Sequence, residues 1–356
     1  MKLNEVNWLN LLFVVITHLI VIIGLPLYLI NNSPSSILWW GLLILFLLTG
    51  LGITMGYHRL YAHKAYTPSN KIVEGGIIFM GTLVTQGSIM QWSFDHRRHH
   101  AFVDTDRDPY DIKKGFWHAH WFWMFKKKET VKFKEVPDLA ENKLVMFQHN
   151  HFGLLTLSTN LIVFLIFGYI TKDYLGSFLI IWMLRTVLLH EATWCINSLA
   201  HYYGSKHYMR EVSAVDNWIV SLFTLGEGYH NYHHAFAVDY RNGIEWYNFD
   251  PGKWVIWTLS KMGLVKDKIK MSNNTIMRRL IREDIKLMNE EVSQSKRKDA
   301  KKIKNKIKSL STSMYKLISK MEDAEKTHNI NTSTRASEEF KILKKEWIKL
   351  SKELEH

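Results

Sequence analysis

Apolar positions along the chain fall into two regimes. Through roughly the first two hundred residues they run continuously over membrane-length stretches, whereas beyond about residue 270 they recur at steps of three and four among charged residues. Leu9 to Ile30 is interrupted only by Asn10, Thr17 and His18. At 1.5 Å per residue a helix of that length crosses a hydrocarbon layer about 30 Å thick. The run exceeds the apolar core of a signal peptide and no small-residue cleavage pattern follows it, so a retained transmembrane helix is expected. Further spans are expected at 37–57, 152–171 and 174–196. Residues 72–90 are apolar enough to cross but carry Gly75, Gly76, Gly81 and Gly87 with Thr82, Thr85, Gln86 and Ser88, which suits a protein-packed or interfacial helix. Residues 215–226 are too short to span.

The second regime reads differently. Ile303, Ile307, Leu310, Met314, Leu317 and Met321 form one heptad seam, and Phe340, Leu343, Trp347, Leu350 and Leu354 form another. An antiparallel helical hairpin is the simplest arrangement that buries both, joined by a helix-poor stretch over 327–334. Ile276, Leu280, Ile281 and Ile285 mark an earlier helix. The expected organisation is a membrane domain over 1–263 and a basic helical extension over 264–356.

Charge sharpens that division. The 356-residue chain has 46 Lys+Arg against 33 Asp+Glu, a formal net charge of +13, and 264–356 supplies +10 of it with 24 against 14. A basic extension favours anionic headgroups or an acidic partner; nucleic acid is disfavoured because no recognition motif accompanies the charge. The expected turns at Asn31–Ser36 and Thr171–Tyr174 carry a single lysine, whereas 57–151 carries fourteen Lys+Arg. The positive-inside rule then places both turns outside and both termini in the cytosol. The one cysteine, Cys195, excludes an internal disulfide and fits a reducing compartment. A bacterial inner membrane is the expected location, with the endoplasmic reticulum as alternative.

Three histidine clusters punctuate the apolar segments: His58-Arg-Leu-Tyr-Ala-His63, His96-Arg-Arg-His99-His100 and His230-Asn-Tyr-His233-His234. Neutral imidazole ligates iron, zinc and copper, and positions i, i+3 and i+4 share one helix face. Eight such donors suffice for two metal ions at one site. If 72–90 crossed the bilayer, the first two clusters would lie on opposite sides, so a common centre requires that segment to return.

With Gly56-Tyr57-His58-Arg59-Leu60-Tyr61-Ala62-His63, Asp95-His96-Arg97-Arg98-His99-His100 and Gly226-Glu227-Gly228-Tyr229-His230-Asn231-Tyr232-His233-His234, the chain resembles the membrane fatty-acid desaturases, in particular the acyl-CoA (stearoyl-CoA-like) Δ9 branch. Trp194-Cys195-Ile196-Asn197-Ser198-Leu199-Ala200-His201 and Asp104-Thr105-Asp106-Arg107-Asp108-Pro109-Tyr110 match as well, and the resemblance runs from about residue 10 to about 260. Tyr61 and Tyr229 depart from the tryptophans common among relatives, at positions that are not ligands. The resemblance implies an all-α integral membrane protein whose four spans are capped by a cytosolic helical domain. Its implied ligands are His58, His63, His96, His99, His100, His201, His230, His233 and His234 on two Fe2+ ions, with Asn197 acting through a water. It further implies O2 as co-substrate, a cis double bond placed in the acyl chain of a fatty acyl-CoA or other acyl carrier, and a role for Trp194 near the acyl tunnel. Lys127 and Lys128 are candidate contacts for the carrier's phosphates. Electrons must come from a separate ferredoxin or cytochrome b5 system, because no haem, iron–sulfur or dinucleotide motif is present.

Unactivated methylene C–H bonds have no acid–base route to an alkene, so an oxidant built from O2 at a redox metal is required. Asp95, Asp104, Asp106 and Asp108 are candidates to orient ligating imidazoles. His18, His118, His120, His149, His151, His190, His207, His328 and His356 lie outside the matching motifs and read as non-ligands. The rival enzyme is a membrane di-iron hydroxylase or alkane oxygenase. A metal transporter is disfavoured, since its ligands belong within the spans near the midplane.

Overall fold

The computed structural model describes residues 3–295 and 297–354; His356 lies outside the described residues. Among the described residues four helices are long and apolar enough to cross a membrane: α1 (Trp8–Asn31), α2 (Ser36–Ala62), and, later in the chain, Phe152–Thr171 and Tyr174–His201. The first two are set apart by a short turn in which Ser35 Oγ accepts the Ile37 N–H at 3.2 Å. α2 begins as an ordinary helix but winds with π-type hydrogen bonding over Gly52–Ala62, and it runs past the expected end at residue 57.

α3 (Lys71–Thr82) is capped by Asn70, whose Oδ1 accepts the Ile72 and Val73 N–H groups at 3.0 and 3.1 Å. Twelve residues give only about 18 Å of helix, well short of the bilayer core. Glycine permits its seat on α2: a Cβ on Gly52 would lie 2.5 Å from the Gly81 nitrogen. A turn through Thr85 and Gly87, both at positive φ, then leads to α4 (Ile89–Phe102), capped by Ser88. Thus the ambiguous apolar stretch 72–90 is a short helix packed on protein.

α5 (Phe152–Thr171) and α6 (Tyr174–His201) are separated by Lys172 in the left-handed region and by the Asp173 cap. Along its most apolar stretch α6 is 67% buried against 17% for α1 and α5. It is therefore the inner helix, and Leu and Ile side chains on α1 and α5 are left facing outward, as a lipid phase requires. The segment Val215–Gly226 holds only a short helix, Trp218–Phe223, before α7 (His230–Ala235). A two-residue strand β1 (Thr67–Pro68) pairs antiparallel with β2 (Val265–Lys266). Together with the Ile269 N–H on the Ala65 carbonyl at 2.8 Å, it fastens residues 264–270 to the membrane unit.

The chain forms two compact units, Met1–Lys206 with Glu211–Lys270, and His207–Arg210 with Met271–His356. The second is built from α8 (Asn273–Gln294), α9 (Ala300–Lys326) and α10 (Ile330–Leu354). Its own core gathers Ile281, Met288, Ile307, Met314, Ile318, Phe340 and Trp347, so both heptad seams and the earlier apolar helix are buried together. The helix-poor stretch expected over 327–334 is narrower than its composition suggests. α10 resumes at Ile330 because Asn329 Oδ1 caps it by accepting the Thr332 N–H at 3.0 Å, leaving only Thr327–Asn329 to turn the chain, with His328 at positive φ.

Candidate metal centre

The helices bring the nine motif histidines into two groups. His58, His63, His96, His100 and His233 form one, and His99, His201, His230 and His234 the other; within each, one ring nitrogen per residue lies within 4.8 Å of all the rest. α4 supplies His96 and His100 to the first group and His99 to the second. α7 supplies His233 to the first, and His230 and His234 to the second. The H-x-x-H-H pattern thus splits each box between two neighbouring centres.

The first cluster has a spacing of five, which places His58 and His63 roughly 140° apart on an ordinary helix of 3.6 residues per turn. The wider winding closes that gap. The His63 N–H donates to the His58 carbonyl at 3.1 Å, an i→i+5 bond of the kind frequent at functional sites. The two rings end with centroids 4.8 Å apart.

All of the close contacts among these rings are between Nε2 atoms. His58 to His233 is 3.0 Å, His63 to His96 2.8 Å, His100 to His233 2.9 Å, His201 to His230 3.0 Å, His99 to His234 3.2 Å and His230 to His234 3.1 Å. Ligands about 2.1 Å from a shared cation and about 90° apart would be about 3.0 Å from one another, so the spacing fits the edges of coordination polyhedra. Burial, aided by the neighbouring imidazoles, lowers His63, His96, His100, His230, His233 and His234 well below the usual histidine range. Neutral rings with converging lone pairs are what a metal needs. Two histidine-only groups therefore fit a pair of metal ions.

Three of the outward ring nitrogens lie against polar side chains, whereas His230 Nδ1 is buried with no hydrogen-bond partner among the described residues. His99 Nδ1 lies 2.9 Å from Asp108 Oδ1, and His58 Nδ1 lies 2.9 Å from Glu227 Oε2. His201 Nδ1 meets Ser213 Oγ at 2.7 Å, and Ser213 in turn donates to Asp104. Such contacts fix the ring orientation and tautomer of a ligating histidine. Of the four aspartates flanking the second box, Asp104 and Asp108 reach the histidines, Asp95 pairs with Lys128 at 3.0 Å, and Asp106 is exposed beside Lys114. Glu227 lies within a quoted motif, but its role is visible only in three dimensions. It accepts from Thr54, from Arg59 at 3.0 Å and from Asn242 at 2.8 Å. Burial works to raise its pKa, but His58 and Arg59 outweigh it and hold the carboxyl at about 2. Arg59 is itself buried and also donates to Asp250 at 2.8 Å and to the Tyr240 carbonyl at 2.8 Å.

A cavity of about 700 Å³ reaches this centre. Its walls include Phe13 and Val14 of α1, Ile53 of α2 and Met183 and Trp194 of α6, and it touches His58, His96 and His230. Asn197 also lines it, as does Lys128. Lys127 is exposed, with its backbone N–H on the Glu5 carbonyl at 2.9 Å. Four of the remaining histidines have other partners. His190 meets the Val84 carbonyl at 2.8 Å, His149 meets Ser88 at 2.7 Å, and His18 and His120 share the carboxylate of Glu191 at 3.0 and 2.9 Å.

Four apolar spans and two all-histidine clusters that could hold metal ions beside an apolar cavity define an integral membrane protein with a candidate metal centre. The chain belongs to the fatty acid desaturase family, whose model matches residues 34–266. It is 40% identical over 292 residues to a probable acyl-CoA desaturase of Schizosaccharomyces pombe, a match covering 80% of this chain and 59% of that protein. To acyl-CoA desaturase 1 of Saccharomyces cerevisiae it is 38% identical over 295 residues, covering 80% and 56%. With the human stearoyl-CoA desaturase the identity is 32% over 285 residues, covering 78% of each. The chain thus spans less than two thirds of the length of the two yeast proteins.

Proposed function

We propose that this chain is a fatty acyl-CoA desaturase that introduces a cis double bond, at Δ9, into a saturated acyl chain. The observation that carries the reading is the cavity. It falls within the range of about 300–1,000 Å³ common for small-molecule sites, its walls are largely apolar, and both histidine groups open onto it through His58, His96 and His230. The reaction –CH2–CH2– + O2 + 2 e− + 2 H+ → –CH=CH– + 2 H2O balances with two electrons from a separate ferredoxin or cytochrome b5 system. The nine histidines would hold two irons, and that pair would supply, with O2, the one-electron oxidation that unactivated C–H bonds demand.

The chain's own residues do the rest. Glu227, Asp108 and the Ser213–Asp104 pair hold imidazole rings so that Nε2 faces inward. Phe13, Val14, Ile53 and Trp194 exclude water along the acyl chain, and the Gln86 amide, which donates to Thr193 Oγ1 at 2.9 Å, ties the turn before α4 to α6 beside the cavity. In this reading Asn197 would hold a metal-bound water and Lys128 would meet carrier phosphates; both line the cavity. The same reading sets the turns at 31–36 and 171–174 on the outer face, with both termini and all nine histidines in the cytosol.

Expression in a host without desaturases, followed by gas chromatography–mass spectrometry of total fatty acids, tests the proposal. A monounsaturated product with the double bond at C9 is expected. An alcohol in its place would make the chain a hydroxylase.

A further inference from the structure

The second unit has charges its fold does not use. Over residues 297–308 there are seven Lys/Arg against Asp299, and over 341–353 five lysines against Glu346 and Glu353. The remainder of the α9–α10 hairpin, 309–340, holds four Lys/Arg against five Asp/Glu. Because the two helices are antiparallel, both basic stretches fall at one end: Arg297 donates to the Glu353 carbonyl at 2.9 Å. α8 also packs at this end: Lys304 meets Ser293 at 2.9 Å, and Asp284, which accepts from Trp347 Nε1 at 2.9 Å, lies near enough to Lys344 to interact with its charge.

Every lysine among 301, 302, 304, 306, 308, 341, 344, 345, 349 and 352 is exposed, and none forms an ion pair among the described residues. Helix surfaces stabilised by their own charges carry i,i+4 pairs of opposite sign; within these two stretches only Lys349 and Glu353 have that spacing, and no ion pair forms between them among the described residues. Among the lysines stand two exposed isoleucines, Ile342 at 61% and Ile348 at 44%. A shallow concavity is lined by Lys345, Ile348, Lys349, Lys352 and Glu353.

We propose that this basic end of the three-helix unit is a docking face for anionic phospholipid headgroups. Three observations select a lipid surface over an acidic protein. Lysines interspersed with exposed aliphatic side chains match an interfacial helix, whose apolar groups enter the headgroup boundary while long cationic stems snorkel. The charge is spread over an extended helical surface whose concavity is shallow and lined by lysines, and no large aromatic side chain is exposed there among the described residues to act as a protein hot spot. The unit is also tethered to four spans, so lipid is always present at high effective concentration. The inference rests on the membrane spans and the charge distribution, and is independent of the desaturase reading.

The test uses the full chain with Cys195→Ser and Asn305→Cys, a neutral exposed position between Lys304 and Lys306, labelled with a fluorophore and reconstituted in nanodiscs. Quenching by a headgroup-spin-labelled lipid is compared in neutral phosphatidylcholine and with 30% phosphatidylglycerol. Quenching at least about twofold stronger in the anionic discs is expected. It should fall on adding 0.5 M NaCl, and on changing Lys301, Lys302, Lys304, Lys306 and Lys308 together to Gln. Equal quenching in the two lipids, or quenching indifferent to salt and to the five substitutions, overturns the proposal. Protection of the dye by an acidic polyglutamate peptide without any lipid dependence would assign the face to an acidic protein instead. Circular dichroism on the five-lysine variant checks that the helices remain.

Discussion

Asp250 is fully buried and joins three parts of the membrane unit. Its carboxylate accepts from Arg59 at 2.8 Å, from the Asn242 and Gly243 N–H groups at 2.8 and 3.1 Å, and from the Lys253 N–H at 2.9 Å, capping the helix Pro251–Lys261. Asp250→Ala takes one of two counter-charges from a buried guanidinium, strands two loop amides and removes a cap. Breaking a buried ion pair costs about 3–5 kcal/mol and a lost N-cap about 1 kcal/mol. Glu227 still faces Arg59, so about 4 kcal/mol in all is a fair expectation. At roughly 2–4 °C per kcal/mol for a unit of this size, the apparent Tm should fall by roughly 8–16 °C. Cys195, the chain's only cysteine, is free and half-buried, so a thiol-reactive dye reports unfolding in detergent without engineering. Asp250→Asn, which keeps an acceptor for the cap but not the charge, should fall between wild type and Ala. Metal content should drop as well, because Arg59 helps hold the Glu227 carboxylate beside His58. A Tm within about 2 °C of wild type together with full metal content would refute the reasoning.

Four further outcomes are expected. His99→Ala and His233→Ala, one from each group, should each lower bound iron measured by mass spectrometry after expression with ample iron; undiminished iron in either would remove that residue from the ligand set. Arg97 and Lys64 hold Asp138 at about 2 although partial burial opposes ionisation. This depressed carboxylate adds stability above its ordinary pKa of 3.8 and loses it as pH falls from about 4 towards 2. Asp138→Asn should therefore cost about 1–2 kcal/mol at pH 6, allowing for solvent screening, with a Tm gap that narrows at pH 3. Glu191→Ala leaves His18, His120 and the Trp121 N–H, 3.0 Å away, without their shared acceptor; it should cost about 2–4 kcal/mol, read as a lower Tm, and Glu191→Gln should cost less. Ending the chain after Lys270 removes most of the second unit and should leave the metal content of the first intact, since every motif histidine precedes residue 235; loss of iron with folded spans would tie the tail to the centre.

What the sequence made legible is what repeats locally. The four spans announce themselves by length, and the two H-x-x-H-H boxes by a spacing that puts three rings on one helical turn. The glycines and polar residues of 72–90 also foretold a protein-packed helix there, and Lys71–Thr82 is a short helix seated on α2. Long-range chemistry was not legible: Arg59, Glu227, Asn242 and Asp250 are far apart in sequence, and no pattern announces that one buried charge network joins them. The five-residue gap between His58 and His63 reads as two faces of a helix until the π winding of Gly52–Ala62 brings them together. At 327–334 polar composition implied a long loop, but Asn329 restarts the helix early.

The division of each histidine box between two groups has a mechanical consequence. α4 and α7 each carry rings for both groups, while α2 serves only the first and α6 only the second. A metal bound in one group freezes the rotation and height of both shared helices, and thereby arranges part of the other group before anything occupies it. In the proposed centre the entropy of ordering α4 and α7 is then spent mainly on the first ion. Half-loaded molecules should be scarce at equilibrium, and stripping one ion should make the second easier to remove.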